Sequence, residues 1–397
     1  MRGSSMILRW KTLALGMLVV GGVTSSTQAA LSYAQLRSWG VAVANEIDRT
    51  LRVPGTALYA ETASLDGSRS GGIYSRAFVW PVSTQFRVMN MLARHDPTTY
   101  TSKLRTFSEQ VHTAYYNAGY RSGAGSSSRF YDDNGHMLIA LAEAYQLTGD
   151  SVYLDRAKLT YNFVLSGEDS AGGGGIYFQQ GVTTSKDTIS TLQAARGAAM
   201  LYQITGQASY LTDATRLRTW ANSHVQLSNG LYNQGFVIAS NSAAGVDIVN
   251  AAGDAISMNL ELYDATKSAT YLLEARRIAA SAVNRFVDSS GHIGDEGYWA
   301  YELVDALADL YKHDHDSTWL VKLDSALNYL HTSMVDPNGH YGLFWARNGP
   351  LTGTLSSWNL NEQAPVARAY LYTATAVPEP TVFALMGLSA MSLKRRR

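Results

Sequence analysis

Cysteine is absent from the 397 residues, so disulfide frameworks, thiolate zinc sites and cysteine nucleophiles are all excluded. Charged side chains make up only 16%, against the usual quarter. No apolar run reaches the roughly 20 residues that a membrane-crossing helix requires. There is no H-E-x-x-H pair of zinc-binding histidines and no G-x-S-x-G turn for a nucleophilic serine. No Lys-Ser/Thr follows the glycines at 172–175 to make a phosphate loop. What is plentiful is apolar: 46% hydrophobic and 11% aromatic, with Tyr 24 and Trp 8. That excludes a disordered chain and supplies a large core. The tyrosines and tryptophans suit either flat hydroxylated ligands or simple packing.

Lys+Arg 32 balances Asp+Glu 32, but the basic residues gather at the ends. Residues 1–29 read as a secretory signal: Arg2, Arg9 and Lys11, an apolar run at 12–23, then small residues with Thr27 and Ala29 placed for cleavage. At the other end, Val377-Pro378-Glu379-Pro380 leads into an apolar stretch at 381–393 and the tail Lys394-Arg395-Arg396-Arg397. This order of box, hydrophobic segment and basic tail resembles a PEP-CTERM sorting signal. The resemblance implies export across the inner membrane of a Gram-negative bacterium and transient membrane retention, with signal peptidase and an exosortase as processing partners. The final location would be the cell surface, outer envelope or extracellular matrix. Without the two ends, the body at 30–376 carries 25 basic against 31 acidic residues. An acidic body argues against nucleic acid, whose phosphates require a basic face.

The body contains a repeat. "YQLTGDSVYLDRA" (from Tyr145), "YQITGQASYLTDA" (from Tyr202), "YDATKSATYLLEA" (from Tyr263) and "YKHDHDSTWLVKL" (from Tyr311) each place two aromatics eight residues apart across a polar turn. Each unit reads as helix, short turn, helix, with Gly149 a helix stop and Asp150 an N-cap. Extended outward, the pattern predicts twelve helices, near 31–50, 77–94, 97–117, 133–147, 151–166, 187–204, 208–225, 252–265, 268–287, 298–312, 317–333 and 359–374. Short turns alternate with long loops, which include 51–76, 167–186 and 226–251. The first helix lacks a leading partner and the last a trailing one, so the two close a ring. The expected fold is all-α, an (α/α)6 toroid of six inner and six outer helices, with every long loop at one end.

In that ring the inner helices start around one bowl. Their starts carry Asp132 and Asp133, Asp187, Asp254, Asp295 and Glu296, and Glu362. Acids at helix starts cap free N–H groups and favour the dipole; together, on a bowl rimmed by aromatics, they also suit a carbohydrate site. The sharpest feature is Tyr131-Asp132-Asp133-Asn134-Gly135-His136, because glycoside hydrolysis needs two carboxyl groups, one to attack or activate water and one to protonate the leaving oxygen. An N-cap with a solvated neighbour is the structural alternative. His313-Asp314-His315-Asp316 replaces a short turn of the sister repeats and reads as a solvated turn; no metal site and no cofactor are expected.

"YDDNGHMLIALAEAYQLTGDSVYLDRAKLTYNFVL", "GGGGIYFQ" at 172–179 and "KDTISTLQAARGAAMLYQITGQASYL" resemble segments of glycoside hydrolase family 76, the endo-α-1,6-mannanases, over roughly 128–220. The resemblance implies the toroid, retaining hydrolysis of α-1,6-mannan or a related polysaccharide, Asp132 as nucleophile and Asp133 as general acid/base. A helix start would keep Asp132 ionised, while burial and the like charge beside it would keep Asp133 protonated. Tyr131, Asn134, Gly175, Tyr177, Asp187, Asp254, Trp299 and Trp358 are the candidate substrate-binding residues, taken from the flanks of the Asp pair, the glycine-rich wall, the acidic helix starts and the aromatic mouth. The family often carries Asn-Gln-Gly at a later inner helix start; here that place reads Ala251-Ala252-Gly253-Asp254, and Asn233-Gln234-Gly235 falls earlier, in a loop. The alternatives are another (α/α)6 carbohydrate-active enzyme (an unsaturated-uronide hydrolase, lyase or epimerase) or a non-catalytic surface glycan-binding protein.

Overall fold

A computed structural model of the chain describes residues 30–71, 76–346 and 349–377. The expected export signal at 1–29 and, apart from Val377, the expected sorting segment at 377–397 lie outside the described residues. From Leu31 onward the chain forms one unit. Its helices are α1 (Tyr33–Thr50), α2 (Val79–His95), α3 (Pro97–Tyr115), α4 (Tyr131–Thr148), α5 (Ser151–Leu165), α6 (Thr188–Thr205), α7 (Ala208–His224), α8 (Val249–Thr266), α9 (Ala269–Phe286), α10 (Gly297–Asp314), α11 (Ser317–Ser333) and α12 (Leu360–Ala374). None is long and apolar enough to cross a membrane.

Burial separates them into two kinds. Along α6 every residue from Thr188 to Leu201 is buried, whereas α7 buries only Tyr210, Ala214, Leu217, Trp220 and Ala221, a stripe at helical spacing. The even-numbered helices are of the first kind; each packs on the next and α12 closes on α2. The odd-numbered helices clothe them, α3 on α2 and so on round to α1 on α12. The fold is the (α/α)6 toroid, and the first helix indeed pairs with the last. Inner helices approach so closely that a Cβ on Gly253 of α8 would lie 2.5 Å from the Glu302 carbonyl carbon of α10.

The repeated turn has one physical form. At Gly149, Gly206, Lys267 and His315 the residue after the inner helix adopts the left-handed conformation, with φ of 68°, 70°, 57° and 55°. Its N–H donates to the carbonyl of Tyr145, Tyr202, Tyr263 or Tyr311, closing the helix with an αL cap. His313 Nε2–H donates to the Asp264 carboxylate, 2.9 Å away.

The long loops are not structureless. Strands β1 (Thr62–Ser64), β2 (Arg69–Ser70) and β7 (Ser357–Asn359) form one antiparallel sheet in the order β2-β1-β7. Strands β3 (Ile176–Tyr177), β4 (Ser185–Asp187), β5 (Asn233–Val237) and β6 (Ser242–Asp247) form a second, in chain order. Backbone groups that would otherwise lie unpaired over the mouth find partners in neighbouring loops, and a β5–β6 turn with Asn241 at φ 48° reverses the chain.

Along the ring axis lies a charged core contributed by inner helices. Arg87 Nη2 donates to Glu143 and Asp305 (2.9 and 3.0 Å), and Arg368 donates to the same two carboxylates (2.9 and 2.8 Å). Pairing of this kind is what makes buried charge tolerable.

Candidate active site

Above this core, within the ring mouth, is a cavity of about 500 Å³, within the range of small-ligand sites. The β3–β6 sheet forms one wall, through Ser185 to Asp187 and Gln234 to Val237. Trp80 and Trp299, from the first turns of α2 and α10, form another, and Asp132 and His136 of α4 face it as well.

Helix α4 starts at Tyr131, two residues earlier than expected, so both aspartates lie in its first turn. Asp132 lines the cavity, and its Oδ1 is buried without a hydrogen-bond partner in the protein. Asp133, next to it in the same first turn, is 9% exposed. Asp187 caps α6, accepting from the Ser190 amide at 2.7 Å and its hydroxyl at 2.8 Å, and also lines the cavity.

Burial, then the charges of Asp133 and Asp187, push the Asp132 carboxyl well above the usual range. Burial raises Asp133 to about 7 and Asp187 to about 6. The expectation that the helix start keeps Asp132 low is overturned, because desolvation and two like charges outweigh the dipole. All three carboxyls are raised and interact, so their titration belongs to the group. The site can hold an acid and a carboxylate side by side.

His136 follows Asp132 by one helical turn on the same face. Burial lowers its imidazole to about 4, so it stays neutral and able to hydrogen-bond at the cavity floor. Gln193 Nε2 lies 3.0 Å from its Nδ1 and 3.2 Å from Asp254 Oδ2. Burial, with Glu302 nearby, raises Asp254 to about 8.

Of the other sequence candidates, Asp187 and Trp299 are in the cavity wall, and six are not. Tyr131 stacks on Phe163 at 5.0 Å. Asn134 is fully buried and ties down Tyr120, accepting from its amide (2.7 Å) and donating to its carbonyl (2.9 Å). Gly175 packs against Trp220, where a Cβ would come within 2.7 Å of the ring. The Tyr177 hydroxyl donates to Asp169, with Lys186 over its ring. Asp254 lies beneath the floor at zero exposure. Trp358 stacks on His340 at 3.4 Å and donates to Thr50 at 3.1 Å, lining a different cavity. Glu362 accepts from the Asn359 amide at 3.0 Å at the start of α12, which is the capping reading. Each of these polar or aromatic groups satisfies a packing or hydrogen-bonding demand that spacing along the chain does not reveal.

The cavity also contains residues the sequence reading passed over. His136 is signalled by its i, i+4 spacing from Asp132. Gln234 and Gly235, read as part of a loop, lie on β5 and reach the wall through pairing of Gly235 with Asp187. Asn250, in the first turn of α8, follows from that helix starting at Val249 rather than 252. Among the described residues no group of three or more His, Cys, Asp or Glu is arranged to hold a metal ion.

Comparisons with known proteins point one way. The family model described as glycosyl hydrolase family 76 matches residues 56–302, a span that holds the cavity's aspartates and Trp299 but not Trp358. An α-mannanase of that family from Bacteroides thetaiotaomicron is 29% identical, covering 87% of this chain and 96% of its own, with a TM-score of 0.78. An inactive variant of an α-1,6-mannanase from Salegentibacter, with two consecutive aspartates replaced by asparagine and α-1,6-mannotriose bound, is 17% identical over 86% of this chain and 99% of that one (TM-score 0.74). A cellobiose 2-epimerase from Bacillus thermoamylovorans shares the fold at 13% identity over 87% and 98% (TM-score 0.70). No curated protein matches.

Proposed function

The chain belongs to glycosyl hydrolase family 76 and is a glycoside hydrolase; from that premise we propose that it cleaves α-1,6-mannan or a related α-linked polysaccharide with retention of anomeric configuration. Asp132 attacks the anomeric carbon while Asp133 protonates the departing oxygen, then deprotonates the water that releases the sugar. The observation that carries this reading is Asp132: of the pair, it lines the cavity, and one of its oxygens has no partner in the protein. The loss of activity in a relative whose two consecutive aspartates are replaced supports the pair as the reacting groups. The neutral His136 and the Gln234–Gly235 edge then face the sugar hydroxyls.

One observation favours exchanged roles: burial and two neighbouring charges push Asp132 upward, which suits an acid. Azide rescue separates the two readings. With an aryl α-mannoside carrying an activated leaving group, Asp132→Gly plus azide should give a β-mannosyl azide, because azide replaces the missing nucleophile on the opposite face. Asp133→Gly should keep its first step and give the α-azide. The reverse pattern exchanges the roles, and full turnover of both variants on mannan removes the proposal.

The export reading belongs to the same proposal. A signal at 1–29 and a sorting segment at 377–397 would bring the hydrolase to a Gram-negative envelope or its matrix, where polysaccharide is met, through signal peptidase, an exosortase and transient membrane association. Fractionation with mass determination of the mature chain tests it; an uncut chain in the cytoplasm would end it.

A further inference from the structure

Beneath the floor of the catalytic cavity, four inner helices turn polar side chains toward one another. Gln193 and Arg196 lie three residues apart on one face of α6, and Asp254 and Ser257 do the same on α8. His136 comes from α4 and Glu302 from α10. None of the six side chains is more than 4% exposed. Yet Gln193 Oε1, Arg196 Nε and Nη1, Asp254 Oδ1 and Ser257 Oγ are buried with no hydrogen-bond partner among the described residues.

The charged groups approach without touching. Arg196 Nη1 is 3.7 Å from Asp254 Oδ1 and 4.0 Å from Glu302 Oε2, and His136 Nδ1 is 3.6 Å from Glu302 Oε1. Each gap exceeds a direct hydrogen bond and has the size at which water mediates. An unmet buried polar atom costs about 1–3 kcal/mol, so five together call for an occupant. Its chemistry follows from the atoms around it. Gln193 and Asp254 offer acceptors, Arg196 offers donors, and Arg196 faces Glu302, so the site carries charges of both signs. Burial, with Glu302 nearby, raises Asp254 to about 8 and leaves it uncharged at neutral pH. A small neutral molecule that both donates and accepts fits these demands, and water is that molecule.

We propose that these side chains form a site for bound water, and that the water carries hydrogen bonds from Arg196, Asp254 and Glu302 to His136, fixing the imidazole beneath the sugar being cut. His136 lines the cavity one helical turn after Asp132, so Asp254 and Ser257 are positioning residues that act through it. The role under a sugar rests on the hydrolase reading above; the water site stands without it.

A crystal structure that shows ordered water should place at least one water within hydrogen-bond distance of both Arg196 Nη1 and Asp254 Oδ1. Direct pairing of Arg196 with Asp254, with no water between, overturns the site. Nitrogen-15 spectra of histidine-labelled protein then follow the His136 ring independently of activity. Wild type should show one tautomer. Asp254→Leu, which fills the site with apolar atoms, should shift the ring nitrogens, and Asp254→Asn, which keeps a polar partner, should bring them back. On the glycan the enzyme cuts, Asp254→Leu should lower kcat/KM about tenfold, the worth of one mediated hydrogen bond, and Asp254→Asn should restore most of the loss. Where Asp254→Leu fails to fold, Ser257→Ala removes one partner of the water and Ser257→Thr is its rescue, with changes in the same direction. Ring nitrogens that stay in place, or a kcat/KM indifferent to the apolar variant, overturn the positioning role. A wild type that cuts no α-1,6-mannan removes the mannan reading alone, and the crystal structure and the spectra still decide this one.

Discussion

Replacing Arg368 by Met tests the charged axis on which the cavity floor rests. Arg368 is fully buried and spans Glu143 and Asp305 at 2.9 and 2.8 Å. Methionine fills much of its stem but leaves two carboxylates leaning on Arg87 alone. Breaking one side of a buried pair costs about 3–5 kcal/mol. A second route gives a similar size. Burial works to raise the Glu143 carboxyl, yet Arg368 and then Arg87 hold it down to about 2. Against the ordinary glutamate value of 4.5 that is worth about 3 kcal/mol, shared between the two arginines. For a domain of this size about 2 °C of melting temperature accompanies each kcal/mol, so a fall of roughly 6–10 °C is expected at pH 7. The sign with pH follows from the depressed pKa. The stabilisation is present above the unfolded value of 4.5 and is lost as pH falls toward about 2. The Glu143 part of the Arg368→Met deficit should therefore shrink between pH 4.5 and 2, while the part from Asp305, which burial raises to about 6 although Arg368 pulls it down, should already fade as pH falls through about 6. Calorimetry or denaturant melts across that range check it. An equal deficit at pH 3 and pH 7 would mean that lost packing, not charge, is responsible.

Asp187→Asn keeps an oxygen to cap α6 but removes one of the charges that hold a proton on Asp132. The acidic limb of the kcat/KM profile should move to lower pH, and a limb that stays or rises would dismiss the coupling. Lys267 adopts the left-handed conformation in the turn where Gly149 and Gly206 serve its sister repeats. Lys267→Gly should raise stability by up to about 1 kcal/mol in denaturant melts, less whatever its exposed pair with Asp264 contributes.

What the sequence made legible is what repeats locally. The apolar stripe of α7, the paired aromatics and the stop at Gly149 all act within one or two helical turns, and a ring follows from counting such units. The adjacent aspartates were legible for the same reason: one helix start places both. Arg87, Glu143 and Arg368 were not, because 56 and 225 residues separate the partners, and a charged residue on an inner helix has the same local signature as one on a solvated face. Only closure of the ring turns those faces toward a common axis, where each charge must find its opposite. Trp358 errs in the same direction. Its position near the last helix start places it at the mouth, but a ring of that size settles against whatever flat partner lies nearest, here His340. The cavity wall on β5 shows the converse case. Gln234 has no helical neighbour to signal it, and it reaches Asp132's cavity only because the loop before α6 and the loop before α8 satisfy each other's backbone groups as strands. The chemistry at the mouth is thus set by pairings between loops, and the local rules that found the helices do not reach that far.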